Sequence, residues 1–287
     1  MTTTALAFMA NDRYRDWVVG FLESVRTLDP HLPLFCIPHS GSIDKIVPLG
    51  RVFGFEMLHD GVDRLDAFAR RLFPFHPRHR ANLRKYAALT LAVDEVAYFD
   101  VDLLMLVEPA RLFGHIRPGE IDLVYFATSP HWVYAARRLD RARQLFPDLR
   151  LLSAGAFVTS RRALTIDDVI GTIEANRALY RALRRRKVYD QPVLNFALHR
   201  LGKKCRSIAE LDQDLAGLVS FRNPNLQVGD GAPVDVATRR QVVAIHWAGA
   251  GKRGGELFDE RVWPLRRLRE AVAARAEARI RAAGIAC

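Results

Sequence analysis

Two aspartates, Asp100 and Asp102, flank Val101 and directly follow the apolar run 96–99. Carboxylates this close can converge on one cation where the backbone turns, and hard divalent cations prefer carboxylate oxygens. The same spacing suits the turn that ends a strand, because aspartate accepts local backbone hydrogen bonds there. The pair alone therefore leaves a cation site and a structural turn as alternatives.

A second polar group follows the late apolar run 242–245, where His246 is succeeded by Gly249, Gly251 and Lys252. An imidazole nitrogen suits manganese as well as zinc. Glycine lets the backbone approach a ligand closely, and lysine supplies a mobile positive charge for phosphate. A single histidine after a strand is more often structural, but this combination favours a loop that binds metal and phosphate.

The segment between the first predicted strand and the first predicted helix contains Asn11, Asp12 and Tyr14. Asparagine or aspartate there can cap the helix by accepting backbone N–H bonds. Tyr14 could stack on a nucleobase or could be the first core residue of the helix. The sequence leaves both alternatives open.

Two further polar pairs lie on predicted helices. Arg84 and Lys85 precede the Asp100 strand and could pair with Asp100 or with a phosphate, although a solvated helix face explains them equally well. Asp190 and Gln191 begin a helix in the ordinary way, with a proline near its first turn. They would also present a carboxylate and an amide to a bound ligand.

Alternating strands and helices must position these groups. The predicted strands are 6–10, 34–37, 52–58, 96–99, 121–127, 154–159 and 242–245; the predicted helices are 14–28, 65–73, 83–93, 164–183, 191–201 and the stretch from 261 onward. This alternation predicts an α/β fold with a mostly parallel central sheet covered by helices. Ligands of such sheets bind at the carboxyl ends of the strands. We predict one domain over residues 1–259 and a basic amphipathic helical tail over residues 260–287.

The overall charge predicts an anionic partner. The 287 residues include 43 Lys and Arg against 32 Asp and Glu, which gives a net charge of +11. Nucleic acid, a nucleotide or an acidic membrane would suit this surplus. A hydrophobic content of 49% argues against disorder as the main state, and three scattered cysteines argue against a disulfide scaffold.

The chain contains no apolar run long enough to span a bilayer and no signal-like segment. The expected compartment is therefore the cytoplasm, which suits free thiols.

Together these motifs resemble the retaining GT-A glycosyltransferases of family 8, the group of glycogenin and the bacterial lipopolysaccharide galactosyltransferases. Five motifs occur in the family's order between residues 6 and 252: NDRY, RK, DVD, SAG with DQPVLN, and HWAGAGK. The resemblance implies a single Rossmann-like GT-A domain. It also implies transfer of a sugar from a nucleotide-diphosphate sugar, with a UDP-sugar expected, to a hydroxyl acceptor with retention of configuration.

The resemblance implies a role for each residue. Asp100, Asp102 and His246 would hold Mn²⁺, or Mg²⁺ in its place, and Asp190 and Gln191 would be catalytic residues beside the anomeric carbon. The other residues would bind the nucleotide sugar. Asn11, Asp12 and Tyr14 would lie around the nucleoside, with Asp100 and Val101 near the ribose. Arg84 or Lys85, with Gly249 and Lys252, would contact the diphosphate, and Ser153, Ala154 and Gly155 would line the sugar or acceptor site.

The sequence departs from the family pattern at two places. Ser153 and Ala154 stand where the family often has asparagine, so the sugar contacts are expected to differ. Arg253 and Gly254 replace the Pro-Trp that follows the last lysine in the family, so the loop is expected to differ too.

Two other functions compete with this hypothesis. A nucleotidyltransferase of related fold would need a glycine-rich loop after the first strand, and the segment 11–14 contains no glycine. A nucleic-acid-binding protein would explain the basic clusters, which are Arg137, Arg138, Arg141 and Arg143, then Arg181 and residues 184–187, then the tail. No helix-turn-helix, zinc-finger or RNP-like pattern accompanies them, so no nucleic acid is expected as a partner.

The Arg-rich tail has an apolar stripe that includes Trp263, Leu268, Val272, Ala276 and Ile280. A helix of this type packs its stripe on the domain or lies on an anionic membrane. Family acceptors in bacteria are often lipid-linked, so the resemblance implies a sugar or lipid-linked acceptor and peripheral contact with the inner face of the plasma membrane as the second alternative.

Overall fold

The structure is a computed structural model that describes residues 2–184, 190–220, 223, 225–228, 233–247 and 263–285. The contacts predicted for Gly249 and Lys252 lie outside these residues, as do Arg253 and Gly254. The strands are β1 Thr4–Ala10, β2 Leu34–Pro38, β3 Phe55–Met57, β4 Glu95–Asp100, β5 Leu103–Met105, β6 Leu123–Ala127, β7 Leu152–Thr159, β8 Cys205–Ser207, β9 Leu215–Ser220, β10 Leu226–Gln227, β11 Val234–Asp235 and β12 Arg240–His246.

The described helices alternate with these strands over most of the chain. The α-helices are α1 Arg15–Leu28, α2 Leu49–Phe53, α3 Val62–Leu72, α4 Pro77–Arg80, α5 Leu139–Leu145, α6 Ile166–Ala175, α7 Arg177–Leu183, α8 Asp190–Arg200, α9 Ile208–Leu211 and α10 Trp263–Ala282. The 3₁₀ helices are Asp12–Tyr14, Ala81–Thr90, Pro109–Leu112, Pro130–Trp132 and Ala136–Arg138.

The central sheet has seven strands in the order β3-β2-β1-β4-β7-β6-β8. The first four are parallel, β7 is antiparallel to both of its neighbours, and β8 is parallel to β6. Continuous apolar runs form β1, β4 and β7 because helices bury both faces of the sheet. The predicted α/β fold with a mostly parallel sheet is confirmed.

A second, smaller sheet, which the sequence did not predict, contains β10, β11, β12 and β5, with β9 parallel to β12. Its important pairing is between β5 and β12, where Leu103 lies opposite His246. Since β5 begins directly after the second aspartate of the DVD motif, this register brings His246 beside Asp102.

Three predicted elements differ from the structure. Residues 52–58 are not one strand, because Gly54 at φ 64° ends α2 in the left-handed conformation before β3 begins. The predicted helix 164–183 is two helices that meet at Asn176, and the predicted helix 83–93 is the 3₁₀ helix Ala81–Thr90. The apolar spacing was compatible with helix in both cases, but it does not distinguish helix type or a break.

The tail helix α10 packs against α1. Its residues Val272, Ala276 and Ile280 are buried, and Arg279 donates to Glu23 on α1 at 2.8 Å. The structure therefore shows the packing alternative for these three residues of the stripe, and membrane contact through the tail stays a prediction. Among the described helices, none combines the length and the apolar character that crossing a bilayer requires.

A half-buried histidine on α8 predicts acid sensitivity of the fold. Burial lowers the pKa of His199 from 6.5 to about 4, while its Nε2 accepts the Arg150 N–H at 3.1 Å and its ring stacks on Phe146. The unfolded chain then binds a proton that the folded chain does not. We expect the free energy of unfolding to fall by about 1.4 kcal/mol per pH unit as the pH drops from 6.5 toward 4.

The measurement is denaturant unfolding at pH 7 and pH 5 for the wild type and for His199→Gln. The glutamine variant should show a clearly smaller loss of stability between these two pH values. Equal losses in both proteins would contradict the assignment.

Candidate functional site

A cleft of about 420 Å³ opens at the carboxyl ends of β1 and β4. It collects side chains from segments that are far apart in the sequence. The lining residues are Met9, Arg13, Tyr14, Trp17, His39, Asn82, Lys85, Asp100, Val101, Asp102, Asp190 and Trp247. The sequence had singled out six of these as candidates: Tyr14, Lys85, Asp100, Val101, Asp102 and Asp190.

Lys85 joins two carboxylates at the base of this cleft. It is only 2% exposed, and its Nζ lies 2.7 Å from Asp190 Oδ2 and 3.1 Å from Asp100 Oδ1. The third donor direction is occupied by the carbonyl oxygen of Ala154 at 3.2 Å. An ammonium group has three N–H donors, so these contacts can satisfy all of them. Lys85 therefore fixes the positions of Asp100 and Asp190 relative to each other.

Lys85 and Asp190 keep their charges at neutral pH. Burial lowers the pKa of Lys85, but the charges of Asp100 and Asp190 outweigh it, and the net pKa is raised. Burial likewise raises the pKa of Asp190, but the charge and hydrogen bond of Lys85 bring it below its usual value. Asp190 is therefore an ionised carboxylate, held in place beside the cleft.

Asp100 rests in a tightly fitted site at the end of β4. The hydroxyl of buried Tyr98 donates to Asp100 Oδ1 at 2.6 Å. On the neighbouring strand β7, a Cβ added to Gly155 would lie 2.6 Å from Asp100 Oδ2. The absence of a side chain at Gly155 thus makes room for the carboxylate, which explains the glycine of the SAG motif.

Replacing Gly155 by alanine should displace the Asp100 carboxylate from Lys85. We expect the Gly155→Ala variant to lose about 10²-fold in any activity that depends on this site, because the contacts around Asp100 hold it from three sides. A suitable control is Gly171→Ala on α6, where an added Cβ meets nothing within 4 Å. Wild-type activity in Gly155→Ala, measured alongside a thermal melt, would contradict the steric argument.

Asp102 and His246 lie side by side across the junction of β5 and β12. His246 Nε2 is 3.3 Å from Asp102 Oδ1, and the backbone N–H of Trp247 donates to the Asp102 carbonyl at 2.9 Å. Burial lowers the pKa of His246, but the hydrogen bond and charge of Asp102 outweigh it and the net pKa is raised. The register of β5 on β12 creates this pair.

The donor set suits a divalent cation in chemistry, since carboxylates and an imidazole are ligands that Mn²⁺ accepts. Asp102 and His246 are adjacent, and Asp100 lines the same cleft but turns its carboxylate toward Lys85 and Tyr98. Within the described ranges, no three His, Cys, Asp or Glu side chains already converge as a metal site. Cation binding by Asp100, Asp102 and His246 stays a prediction.

The helix α8 is fastened to β7 by two amide side chains of the DQPVLN motif. Gln191 Oε1 accepts the Ala154 N–H at 2.9 Å, and Asn195 accepts the Leu152 N–H and donates to the Leu152 carbonyl, both at 2.9 Å. Ser153 Oγ accepts the Gly155 N–H at 3.2 Å. These contacts place Gln191 beside Ser153, Ala154 and Gly155 at the edge of the sheet.

Arg84 does not share the position of Lys85. Its guanidinium forms two hydrogen bonds with Asp66, at 2.8 and 2.6 Å, and a third with the Pro38 carbonyl at 3.1 Å. The sequence left Arg84 and Lys85 as alternatives, and the structure places Lys85 in the cleft. Lys85 there contacts protein carboxylates, and both side chains already have protein partners.

The segment after β1 serves as a cap and as a cleft wall. Asn11 accepts the Arg13 N–H at 3.1 Å and donates to the Ser40 carbonyl at 2.5 Å. Asp12 accepts hydrogen bonds from Ser42 and from the Lys45 N–H, so it holds the loop after β2. Tyr14 is 38% exposed and meets His39 edge-on, which leaves its ring accessible from the cleft.

Comparison with known proteins identifies the fold of this chain. No family model matches the chain, and no curated protein matches its sequence. The solved structure of the galactosyltransferase LgtC with donor and acceptor sugar analogues superposes with a TM-score of 0.56 at 16% identity, covering 90% of this chain and 95% of that chain. The chain has the GT-A fold.

Two further structures support the fold. An LgtC active-site mutant, in which glutamate replaces glutamine, superposes with a TM-score of 0.54 at 16% identity, covering 85% of this chain and 87% of that chain. The apo form of mouse xyloside xylosyltransferase 1 gives a TM-score of 0.54 at 14% identity, covering 86% of this chain and 98% of that chain.

This GT-A domain contains residues in the cleft, or directly behind it, that the sequence motifs did not indicate. Tyr98 lies within an apolar strand and was indistinguishable there from a core residue, whereas its hydroxyl orients Asp100. Trp17 has helical spacing typical of a core residue, and no motif pointed to His39 or Asn82. Only the packing of α1, of the loop after β2 and of the 3₁₀ helix Ala81–Thr90 around the cleft could have identified these three.

Proposed function

We propose that this GT-A domain is a glycosyltransferase that moves a sugar from a nucleotide-diphosphate sugar to a hydroxyl acceptor. The observation that carries the proposal is the cluster in which Lys85 holds the carboxylates of Asp100 and Asp190, next to the Asp102–His246 pair in the same cleft. The Asp190 carboxylate offers a fixed negative charge to a bound sugar. Asp102 and His246 offer ligands for a cation that would bind the diphosphate.

Asp190 is suited to the sugar end of the reaction. When the bond from the anomeric carbon to the diphosphate breaks, positive charge develops on the sugar ring. The ionised carboxylate of Asp190 stabilises that charge because Lys85 fixes its position before the reaction begins. Gln191, tied to Ala154, supplies an amide beside the same site, and the active-site glutamine of LgtC supports this placement.

Asp100, Asp102 and His246 are the residues that would hold Mn²⁺, with Mg²⁺ as a substitute. When bound, a divalent cation stabilises the negative charge that builds on the departing diphosphate. The protein fixes the positions of these three ligands. Tyr98 and Lys85 hold the Asp100 carboxylate by hydrogen bonds, and Gly155 leaves room for it. The β5–β12 register sets the positions of Asp102 and His246.

The donor is proposed to be a UDP-sugar, with the base against Tyr14. The exposed ring of Tyr14 offers a stacking face, and Val101 and Asp100, which line the same cleft, would lie near the ribose. The sugar would be placed at Asp190, which Lys85 joins to Asp100. Ala154 and Gly155 lie directly behind this cluster, where the Ala154 carbonyl accepts a hydrogen bond from Lys85. Ser153 is the residue before them on β7.

Retention of configuration is proposed to follow from attack on the same face that the diphosphate leaves. The acceptor hydroxyl would be held near that face, and the departing phosphate oxygen would take its proton. Asp190 is committed to an ion pair with Lys85, so its part in this scheme is electrostatic. The biological setting proposed is the synthesis of bacterial surface glycans or glycolipids.

A panel of nucleotide sugars tests the proposal. Purified protein is incubated with UDP-, GDP- and ADP-sugars in the presence of Mn²⁺, and release of the nucleoside diphosphate is followed without acceptor. We expect slow hydrolysis of one UDP-sugar and its loss in EDTA. No turnover of any donor in the panel, with and without added oligosaccharide acceptors, would count against the function.

A further inference from the structure

A cationic surface lies on the segments that follow β6 and takes no part in the chemistry proposed above. It is defined by Arg137 and Arg138 on a 3₁₀ helix, Arg141 on α5 and Arg181 on α7. Within the described part of the chain, none of these four arginines forms an ion pair. The nearby carboxylate of Asp140 already pairs with Arg143 at 3.2 Å. The cationic surface therefore carries uncompensated positive charge.

The topology of the central sheet places this surface at the same edge as the cleft. Strand β7 is antiparallel to β4, so its first residues lie beside Asp100. Strand β6 is antiparallel to β7, with Ala127 opposite Leu152, so β6 ends at that edge too. The chain that leaves β6 starts opposite Leu152, next to the Ser153–Gly155 segment, and continues to Arg137 and Arg138.

Backbone contacts hold the segment of Arg137, Arg138 and Arg141 next to the segment of Arg181. Tyr134 forms a bridge with Arg184, and the Ala135 N–H donates to the Leu183 carbonyl at 3.3 Å. Arg181 is consequently carried alongside the 3₁₀ helix of Arg137. Trp132 lies earlier on the same connecting segment and is 50% exposed, so this segment also offers an aromatic ring.

This combination matches the chemistry of a charged saccharide. Guanidinium groups bind carboxylates and phosphates through paired hydrogen bonds, and an indole ring offers an apolar face to the C–H groups of a sugar. We propose that the cationic surface binds an acidic glycan, an oligosaccharide that carries carboxylate or phosphate groups, and holds it as the acceptor beside the cleft. The proposal rests on the glycosyltransferase function and specifies the class of its acceptor.

Direct binding tests the proposal with five fluorescent or immobilised probes. Tetragalacturonate presents carboxylates, a phosphorylated maltotetraose presents phosphate, and maltotetraose is the neutral control of equal length. A DNA duplex and phosphatidylglycerol vesicles test the other anionic partners. Wild-type protein should bind at least one acidic oligosaccharide about tenfold or more tighter than maltotetraose.

The variant is the double substitution Arg137→Glu and Arg181→Glu, and the matched control is Arg51→Glu, an exposed arginine on α2. The double variant should lose at least about tenfold in affinity for the acidic probe, and the control should keep it. Equal binding of acidic and neutral probes, equal loss in the control, or stronger binding of DNA or vesicles through the same arginines would overturn the proposal.

Acceptor-free hydrolysis of the donor separates this proposal from the function on which it rests. None of the substituted arginines lines the cleft, so the double variant should hydrolyse the donor as the wild type does. Hydrolysis without acidic-glycan binding would remove the acceptor proposal and leave the glycosyltransferase standing. Absence of hydrolysis in both proteins would instead count against the function itself.

Discussion

Replacing Lys85 by methionine should reduce sugar transfer by about 10³-fold, because the carboxylates of Asp100 and Asp190 then face each other without the cation between them. Lys85 is 2% exposed, so its replacement also leaves the two negative carboxylates in a place that water reaches poorly. We expect the free energy of unfolding to fall by about 3 kcal/mol, as it does when one partner of a buried ion pair is removed. Steady-state transfer and denaturant unfolding measure the two effects.

The control for this substitution is the adjacent residue. Arg84→Gln breaks the pair with Asp66 outside the cleft, so it should lower stability while transfer by the folded protein persists. Adding Asp190→Asn to Lys85→Met should restore part of the stability, since it removes one of the two uncompensated carboxylates. Wild-type transfer in Lys85→Met would show that the cluster is only structural.

Replacing Asp102 by asparagine should remove transfer, with an expected loss of about 10²- to 10³-fold. The side chain is 34% exposed and asparagine has the same shape, so the fold should be retained. The physical reason is that a neutral amide beside His246 is a weaker cation ligand than a carboxylate. Titration of Mn²⁺ into the protein, followed by electron paramagnetic resonance, should show weaker binding independently of activity.

Asp94→Asn provides the matched control for the Asp102 substitution. Asp94 precedes β4 at the opposite end of the strand and accepts hydrogen bonds from Thr3. It should change neither Mn²⁺ binding nor transfer. Full activity of Asp102→Asn, or of the wild type in EDTA, would remove the metal-dependent part of the proposal.

The sequence predicted the fold class and the chemical types in the cleft, but it could not predict their pairing. Asp100, Asp102 and Asp190 were identifiable because they follow or begin regular elements whose ends meet at one edge of the sheet. The sequence could not decide whether Arg84 or Lys85 lies in the cleft. Neighbouring residues on one helix point in different directions, and these directions depend on how the helix packs. Only the structure shows Arg84 on Asp66 and Lys85 on Asp190.

Long-range register accounts for what the sequence missed. Gly155 acts on Asp100 across the antiparallel pairing of β4 and β7, which local periodicity does not encode. Tyr98 contacts Asp100 from two residues earlier on the same strand, and an apolar run does not show that its hydroxyl has this role. The pairing of β5 with β12 joins residues that are more than a hundred positions apart, and it decides that His246 lies on Asp102. Apolar runs predict that strands exist, but the choice of neighbour depends on the packing of the whole domain.

The most direct test of the central claim is ³¹P NMR of a UDP-sugar incubated with the protein and Mn²⁺, quenched with EDTA, and run in parallel with Lys85→Met. A second sample contains UTP and the corresponding sugar 1-phosphate. The account predicts UDP as the phosphorus product of the first sample, a strong reduction in the variant, and no pyrophosphate from the second sample. Pyrophosphate and a nucleotide sugar in the second sample, with the UDP-sugar left intact in the first, would contradict it.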